Sequence, residues 1–127
     1  MNYSKATNYA LHTMLELSKV EDKSLKGVQE LATLQEISPT YLSKILTKLT
    51  KAGLIESSPG AQGGYCLAKK KETISFLEII QAIEGQIPLF KGCDDKANSC
   101  KIDKIMWDYE QQMKKYLAEK TLADAIH

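Results

Sequence analysis

Ser38-Pro39-Thr40-Tyr41-Leu42-Ser43-Lys44-Ile45-Leu46-Thr47-Lys48-Leu49-Thr50-Lys51-Ala52-Gly53 decides how this chain is read, with the glycine-rich run Ser57-Ser58-Pro59-Gly60-Ala61-Gln62-Gly63-Gly64-Tyr65 just behind it. Ser38 is a good N-cap, because its hydroxyl can accept from an orphan N–H of the first turn. Pro39 then occupies the first helical position, where a missing N–H costs nothing. Leu42, Ile45, Leu46 and Leu49 form an apolar stripe, and Gly53 ends the helix. The opposite side carries Thr40, Ser43, Lys44, Thr47, Lys48 and Lys51 and no carboxylate. Hydroxyls and ammonium groups suit phosphate oxygens and base edges; on one helix alone, a solvated lysine face explains them equally well.

The neighbours decide between these. Gly27-Val28-Gln29-Glu30-Leu31-Ala32-Thr33-Leu34 reads as a short helix, and Gln35-Glu36-Ile37-Ser38 as the turn of a helix-turn-helix. Leu54-Ile55-Glu56 and Tyr65-Cys66-Leu67 are short strands joined by the glycine-rich loop. The expected fold is mainly α with a small β-hairpin wing, a winged helix-turn-helix followed by a long C-terminal dimerisation helix. Its expected parts are a DNA-binding domain over 1–85, with the recognition helix at about 38–52 and the wing at about 54–68. A cysteine-containing sensor loop over 86–100 and a dimerisation helix with a tail over 101–127 follow.

At 127 residues and 43% hydrophobic content the chain can bury one modest core, and its apolar runs are too short to span a bilayer. The first residues lead directly into an amphipathic helix carrying Glu16, so no secretory leader and no membrane partner are expected, and the location is the cytoplasm. The formal net charge is only +1, but it is unevenly placed. Lys44, Lys48, Lys51, Lys69, Lys70 and Lys71 face Glu56 alone between Ser38 and Lys71. A local positive field of this kind can neutralise several phosphates. All 17 basic residues are lysine. With no arginine fork to read guanine, base recognition falls to lysine, hydroxyls, amides or shape.

From Lys101 to Glu119 the residues Ile102, Ile105, Met106, Tyr109, Met113, Tyr116 and Leu117 recur at helical spacing. Such a helix spans roughly 28 Å, more than a small core covers, so part of the stripe should meet a second copy and part the first helix. A two-fold dimer would place two recognition helices about one DNA turn apart, on a roughly palindromic operator.

No nucleophile with a nearby base, no carboxylate pair in an apolar setting and no phosphate loop leading into a helix can be assembled, so the chain is not read as an enzyme. Cys93 and Cys100 bracket the polar loop Asp94-Asp95-Lys96-Ala97-Asn98-Ser99, while Cys66 lies in the wing as an exposed strand residue. Oxidation of Cys93 and Cys100 would constrain that loop by roughly 2–3 kcal/mol in the simple closure model. A redox switch and ordinary reduced thiols both remain open. A zinc site lacks ligands, because His12 and His127 are far away in sequence.

The chain resembles the Rrf2 family of bacterial transcription regulators. The matching residues run in order: Asn8-Tyr9-Ala10-Leu11, Ile37-Ser38-Pro39-Thr40-Tyr41-Leu42, Leu49-Thr50-Lys51-Ala52-Gly53-Leu54-Ile55, Gly63-Gly64-Tyr65-Cys66-Leu67-Ala68, Ile83-Glu84-Gly85 and Thr121-Leu122-Ala123-Asp124. The resemblance implies that Ser38, Thr40, Tyr41 and Ser43 face the major groove of double-stranded DNA, with Lys44 and Lys48 toward phosphate or guanine. Gln62, Gly63 and Gly64 of the wing complete the DNA-binding candidates. Family wings commonly carry an arginine where Pro59 stands here, so minor-groove reading passes to Gln62. Tyr41 packed against the preceding helix is an equal alternative.

Cluster-binding members of the family carry three cysteines in the loop. Cys93 and Cys100 match the outer two, the middle one is absent, and of the matched positions Asn8 and Asp103 only Asp103 is a ligand type. The resulting set of Cys93, Cys100 and Asp103 is short of the four ligands a cluster takes. No cofactor is therefore expected. Three functions stand at this level. The first is a homodimeric DNA-binding regulator, a repressor, responding to redox state through Cys93 and Cys100 with Cys66 as a further candidate. The second is an iron–sulfur or metal sensor with ligands pooled in the dimer. The third, which the missing arginine favours, is a winged-helix protein-interaction module without DNA.

Overall fold

Local signals set five helices and one hairpin in a computed structural model that describes residues 2–20, 24–86, 88–90, 92 and 100–126. Helix α1 (Lys5–Ser18) starts at Ser4, whose hydroxyl accepts from the N–H of Thr7, and buries Ala10, Met14 and Leu17 on one face. Helix α2 (Val28–Gln35) runs one residue further than the sequence reading, which gives Gln35 to the turn. The helix stops only where Glu36 turns left-handed, at φ 56°, and the N–H of Ile37 reaches back to the carbonyl of Ala32 at 3.1 Å. Helix α3 (Pro39–Lys51) follows after three residues, with the Ser38 hydroxyl accepting from the N–H of Tyr41 at 3.1 Å. Gly53, at φ 78°, takes the left-handed step that closes α3, and the N–H of Leu54 then bonds the carbonyl of Leu49 at 3.1 Å.

Strands β1 (Ile55–Ser58) and β2 (Gly64–Leu67) pair antiparallel in the register Ile55↔Leu67 to Ser58↔Gly64. β1 begins one residue later than in the sequence reading, because Leu54 is consumed by the end of α3, and runs on to Ser58, while β2 begins one residue earlier, at Gly64. A single residue ahead of α2 adds a third rail. Lys26 and Tyr65 exchange both backbone hydrogen bonds, at 3.0 and 2.8 Å, tying the wing to the entrance of the helix-turn-helix.

Helix α4 (Phe76–Glu84) is capped by Ser75 and ends at Gly85, φ 80°. Helix α5 (Lys101–Glu119) returns beside it. The chain is then stitched back onto the start of α4: Phe76 donates to the carbonyl of Lys120 at 2.8 Å and Leu122 to that of Ile74 at 3.1 Å. A capping box between Thr121 and Asp124 turns the tail so that Leu122 enters the core, 1% exposed. One core therefore gathers Met14 and Leu17 of α1, Leu31 of α2, the α3 stripe, Ile55 of β1, Ile79 of α4 and Leu122 of the tail.

The α5 stripe, expected to lie partly on α1, leans instead on α4. The inner face of α1 is already taken by α3, α4, β2 and the tail. Tyr3, ahead of α1, reaches across, its hydroxyl 4.0 Å from the Met113 sulfur. Among the described residues, no helix is long and apolar enough to cross a membrane.

Candidate nucleic-acid interface

The four apolar positions of α3 are 0–3% exposed, which turns the other side of the helix outward as one surface. Thr40, Tyr41, Lys44, Thr47, Lys48 and Lys51 are exposed there, and Ser43 is half-buried at its edge. Among the described residues, Lys44, Lys48 and Lys51 enter no ion pair, unlike Lys69, which holds Glu78 at 2.9 Å. Their ammonium groups are exposed to solvent. Ser38 is committed to the helix cap, and Thr47 turns its hydroxyl to the carbonyl of Ser43 at 2.9 Å.

Tyr41 packs not on the helix just before it, as one sequence reading had it, but on α1. Its ring stands edge-on to Tyr9 of α1, centroids 5.8 Å apart at 89°, while 37% of the residue stays exposed. That contact fixes the start of α3 against α1. A second clamp does the same for α2, where the Gln35 amide donates to the Thr13 hydroxyl at 2.7 Å and to the Tyr9 carbonyl at 3.4 Å.

The wing tip from Pro59 to Gln62 is exposed, with Gln62 projecting beside the hairpin end. Gly63 and Gly64 have a structural cause of their own. A Cβ on Gly63 would strike the Ser58 carbonyl at 2.0 Å, and one on Gly64 would strike the Lys26 carbonyl at 2.6 Å. Both glycines let backbones close on each other, so they shape the wing whatever it touches.

Glu84, the last residue of α4, was matched only as part of a motif, and the structure gives it a task that charge and spacing did not reveal. One carboxylate oxygen accepts from the Thr7 hydroxyl, from the Ser4 N–H at 2.7 Å and from the Ser4 hydroxyl at 3.0 Å. The Thr7 hydroxyl, then the Ser4 N–H, hold this carboxyl below its ordinary range, with a smaller pull from Lys48. Its charge also sits at the positive end of the α1 dipole.

The cysteine candidates come out unevenly. Cys66, expected to be exposed, is half-buried, because β2 packs on α1 and Cys66 lines a cleft of about 760 Å3 with Leu17 and Lys69. Cys93 lies outside the described residues, as does His127. Cys100 is half-buried at the N-cap of α5, and Asp103 stands in its first turn, with its carboxylate against Gly92. His12 bonds the Asn8 carbonyl through Nδ1 at 2.9 Å. Among the described residues, no three His, Cys, Asp or Glu side chains are gathered as a metal would require. Cys100 and Asp103 alone do not fit a cluster that takes about four ligands.

Comparison with known proteins places this geometry. Residues 3–127 match the family model for Rrf2, described as an iron-dependent transcriptional regulator. The HTH-type transcriptional regulator NsrR of Shouchella clausii is 32% identical, over 79% of this chain and 67% of its own length. The structure of CymR, the global cysteine regulator of Bacillus subtilis, superposes with a TM-score of 0.85 at 28% identity, over 98% of this chain and 95% of that one. The oxidised form of CymR from Staphylococcus aureus superposes at 0.78 with 28% identity, over 98% and 95%.

Proposed function

The chain belongs to the Rrf2 family of DNA-binding transcriptional regulators and is not an enzyme, and from that premise we propose that it works in the cytoplasm as a homodimeric repressor on a roughly palindromic operator. The observation that carries the proposal is the divided surface of α3: one side is wholly core, the other presents Thr40, Tyr41, Lys44 and Lys48 with no acid on that face and, among the described residues, no salt bridge. In this reading α3 lies in the major groove. Thr40 and Tyr41, with Ser43 at the edge, meet bases; Lys44 and Lys48 meet phosphate or guanine, and Gln62 follows the backbone beside the wing. Gly63 and Gly64 contribute by holding the hairpin shape.

Replacing Lys48 with alanine should weaken binding to all DNA sequences alike and lower the salt slope by about one unit, the signature of one lost phosphate contact. Thr40→Ala should instead change the ranking of operator variants. Normal binding by both variants would reject α3 as the reading helix, and no binding to DNA by the unmodified chain would favour the protein-interaction reading.

The signal in this proposal is thiol oxidation. Cys100 occupies the N-cap of α5, where the helix dipole favours a thiolate. Oxidation with Cys93 would join the two sulfurs with loss of two protons and two electrons to an oxidant such as peroxide, at the root of the dimer helix. Operator affinity under reductant and under mild peroxide, measured for the unmodified chain and for Cys93→Ser, Cys100→Ser and Cys66→Ser, tests this. Equal affinities in both states would refute the switch. A response lost only in Cys66→Ser would move it to the wing. An iron–sulfur absorption band in protein purified without oxygen would overturn the thiol reading in favour of a cluster with ligands pooled between copies.

A further inference from the structure

Between α4, α5 and the residues ahead of α1 lies a cavity of about 190 Å3, and its walls are chemically divided. Leu77 and Ile80 of α4, Met113 of α5 and the ring of Tyr3 form the apolar part, and Gln81 and Glu84 stand on the same wall one helical turn apart. All three hydrogen bonds to Glu84 fall on Oε2; among the described residues Oε1 accepts none, and the Gln81 side-chain amide makes none either. No buried side-chain nitrogen or oxygen lacks a partner among the described residues, so these two groups reach open space and not packed protein. Lys114, also on the wall, is already held by Glu110 at 3.4 Å, and Lys48 acts on Glu84 only as the weakest of its influences.

An ionised carboxylate with one open oxygen at the edge of an apolar hollow selects by charge and by shape. An anion is repelled, and a neutral hydrocarbon fills the hollow without using Oε1. A cation with an apolar body does both. An apolar cavity of roughly 150 Å3 accepts benzene, so this one has room for a single ring with a short tail. We propose that the cavity is a binding site for a small primary amine with one aromatic or branched apolar body. Its ammonium group donates to Glu84 Oε1 and to the Gln81 carbonyl, and its body lies among Leu77, Ile80 and Met113. The site lies at the joint where α5 meets α4.

Titration calorimetry on the full chain, without DNA, tests it with three probes of one shape: phenethylamine, propylbenzene and phenylacetate. Phenethylamine should bind saturably, one per chain, and more tightly than propylbenzene, while phenylacetate should not bind. Glu84→Gln keeps the shape and removes the charge, and should weaken the amine about tenfold or more, the worth of a charge-assisted hydrogen bond. Gln81→Lys brings a cation to the same edge, leaves the Ser4 and Thr7 contacts alone, and should abolish amine binding, which keeps the test decisive if Glu84→Gln does not fold. Absence of saturable amine binding to the unmodified chain, equal binding of amine and phenylacetate, or unchanged affinity in Gln81→Lys would overturn the site.

Discussion

In α3 the apolar positions Leu42, Ile45, Leu46 and Leu49 all disappear into the core, whereas in α5 Ile102, Ile105, Tyr109 and Tyr116 remain 62, 66, 58 and 61% exposed. Both helices carry a helical apolar repeat, and α5 is the longer. The one buried residue of α5 is charged: Glu110, which accepts from the Leu89 N–H and from Lys114. A repeat therefore says that a helix has a face, and only the rest of the fold says whether the same chain can cover it. For α3 it can. The described residues leave the α5 face uncovered, and a second copy is the cover proposed here.

The largest effect should come from the covered face. Leu46→Ala removes a fully buried side chain and should cost roughly 2–5 kcal/mol, seen as an earlier urea midpoint, with operator binding falling as the fold is lost. A cost below 1 kcal/mol would mean that α3 is not the helix the core is built on. On the uncovered face the outcome should differ in kind. Ile105→Asp should leave helical content intact and convert dimers to monomers in light scattering, since the charge enters a seam between copies and not a core. A variant that stays dimeric would remove this stripe from the interface.

Smaller changes sharpen the contrast. Ser38→Ala takes away the hydroxyl that caps α3 and should cost about 1 kcal/mol of stability while leaving the mass in solution unchanged. The smallest effect is a pH dependence. The folded carboxyl of Glu84 titrates below its ordinary value of 4.5, so its contribution is present above that pH and is lost as pH falls through 4.5 toward the folded value. The stability gap between the unmodified chain and Glu84→Gln, followed by urea unfolding from neutral to acid pH, should narrow over that interval. A gap that stays constant would mean that the carboxylate charge adds nothing to the bonds with Ser4 and Thr7.

What could be read in advance divides along the same line. Helix α3 was legible because cap, stripe and terminating glycine are all local. The hairpin was legible from its glycines, although their close backbone approaches were not. Helix α5 was legible as a helix but not in its neighbour: α1 had no free face left, and α4 received it. The Lys26–Tyr65 pairing left no trace, since one residue has no period. Glu84 looked like any charged residue at a helix end, because the donors that hold it come from residues 77 and 80 positions earlier. Of the candidate interface, the outer face of α3 was readable from composition; the commitment of Ser38 to capping and the edge contact of Tyr41 on Tyr9 depend on how helices cross.

The return of the chain to α4 has a consequence for synthesis. Leu122 fills a core whose other members are drawn from residues 10 to 79, and the bonds that dock it join Ile74 and Phe76 to Leu122 and Lys120. A ribosome that has finished the helix-turn-helix and the wing has made everything that faces DNA in the proposed reading, yet the hydrophobic centre beneath still has a hole. The core under α3 closes only when residues 120–122 are in place, so in the proposed DNA-binding reading a nascent fragment lacking them should bind an operator more weakly than the finished chain.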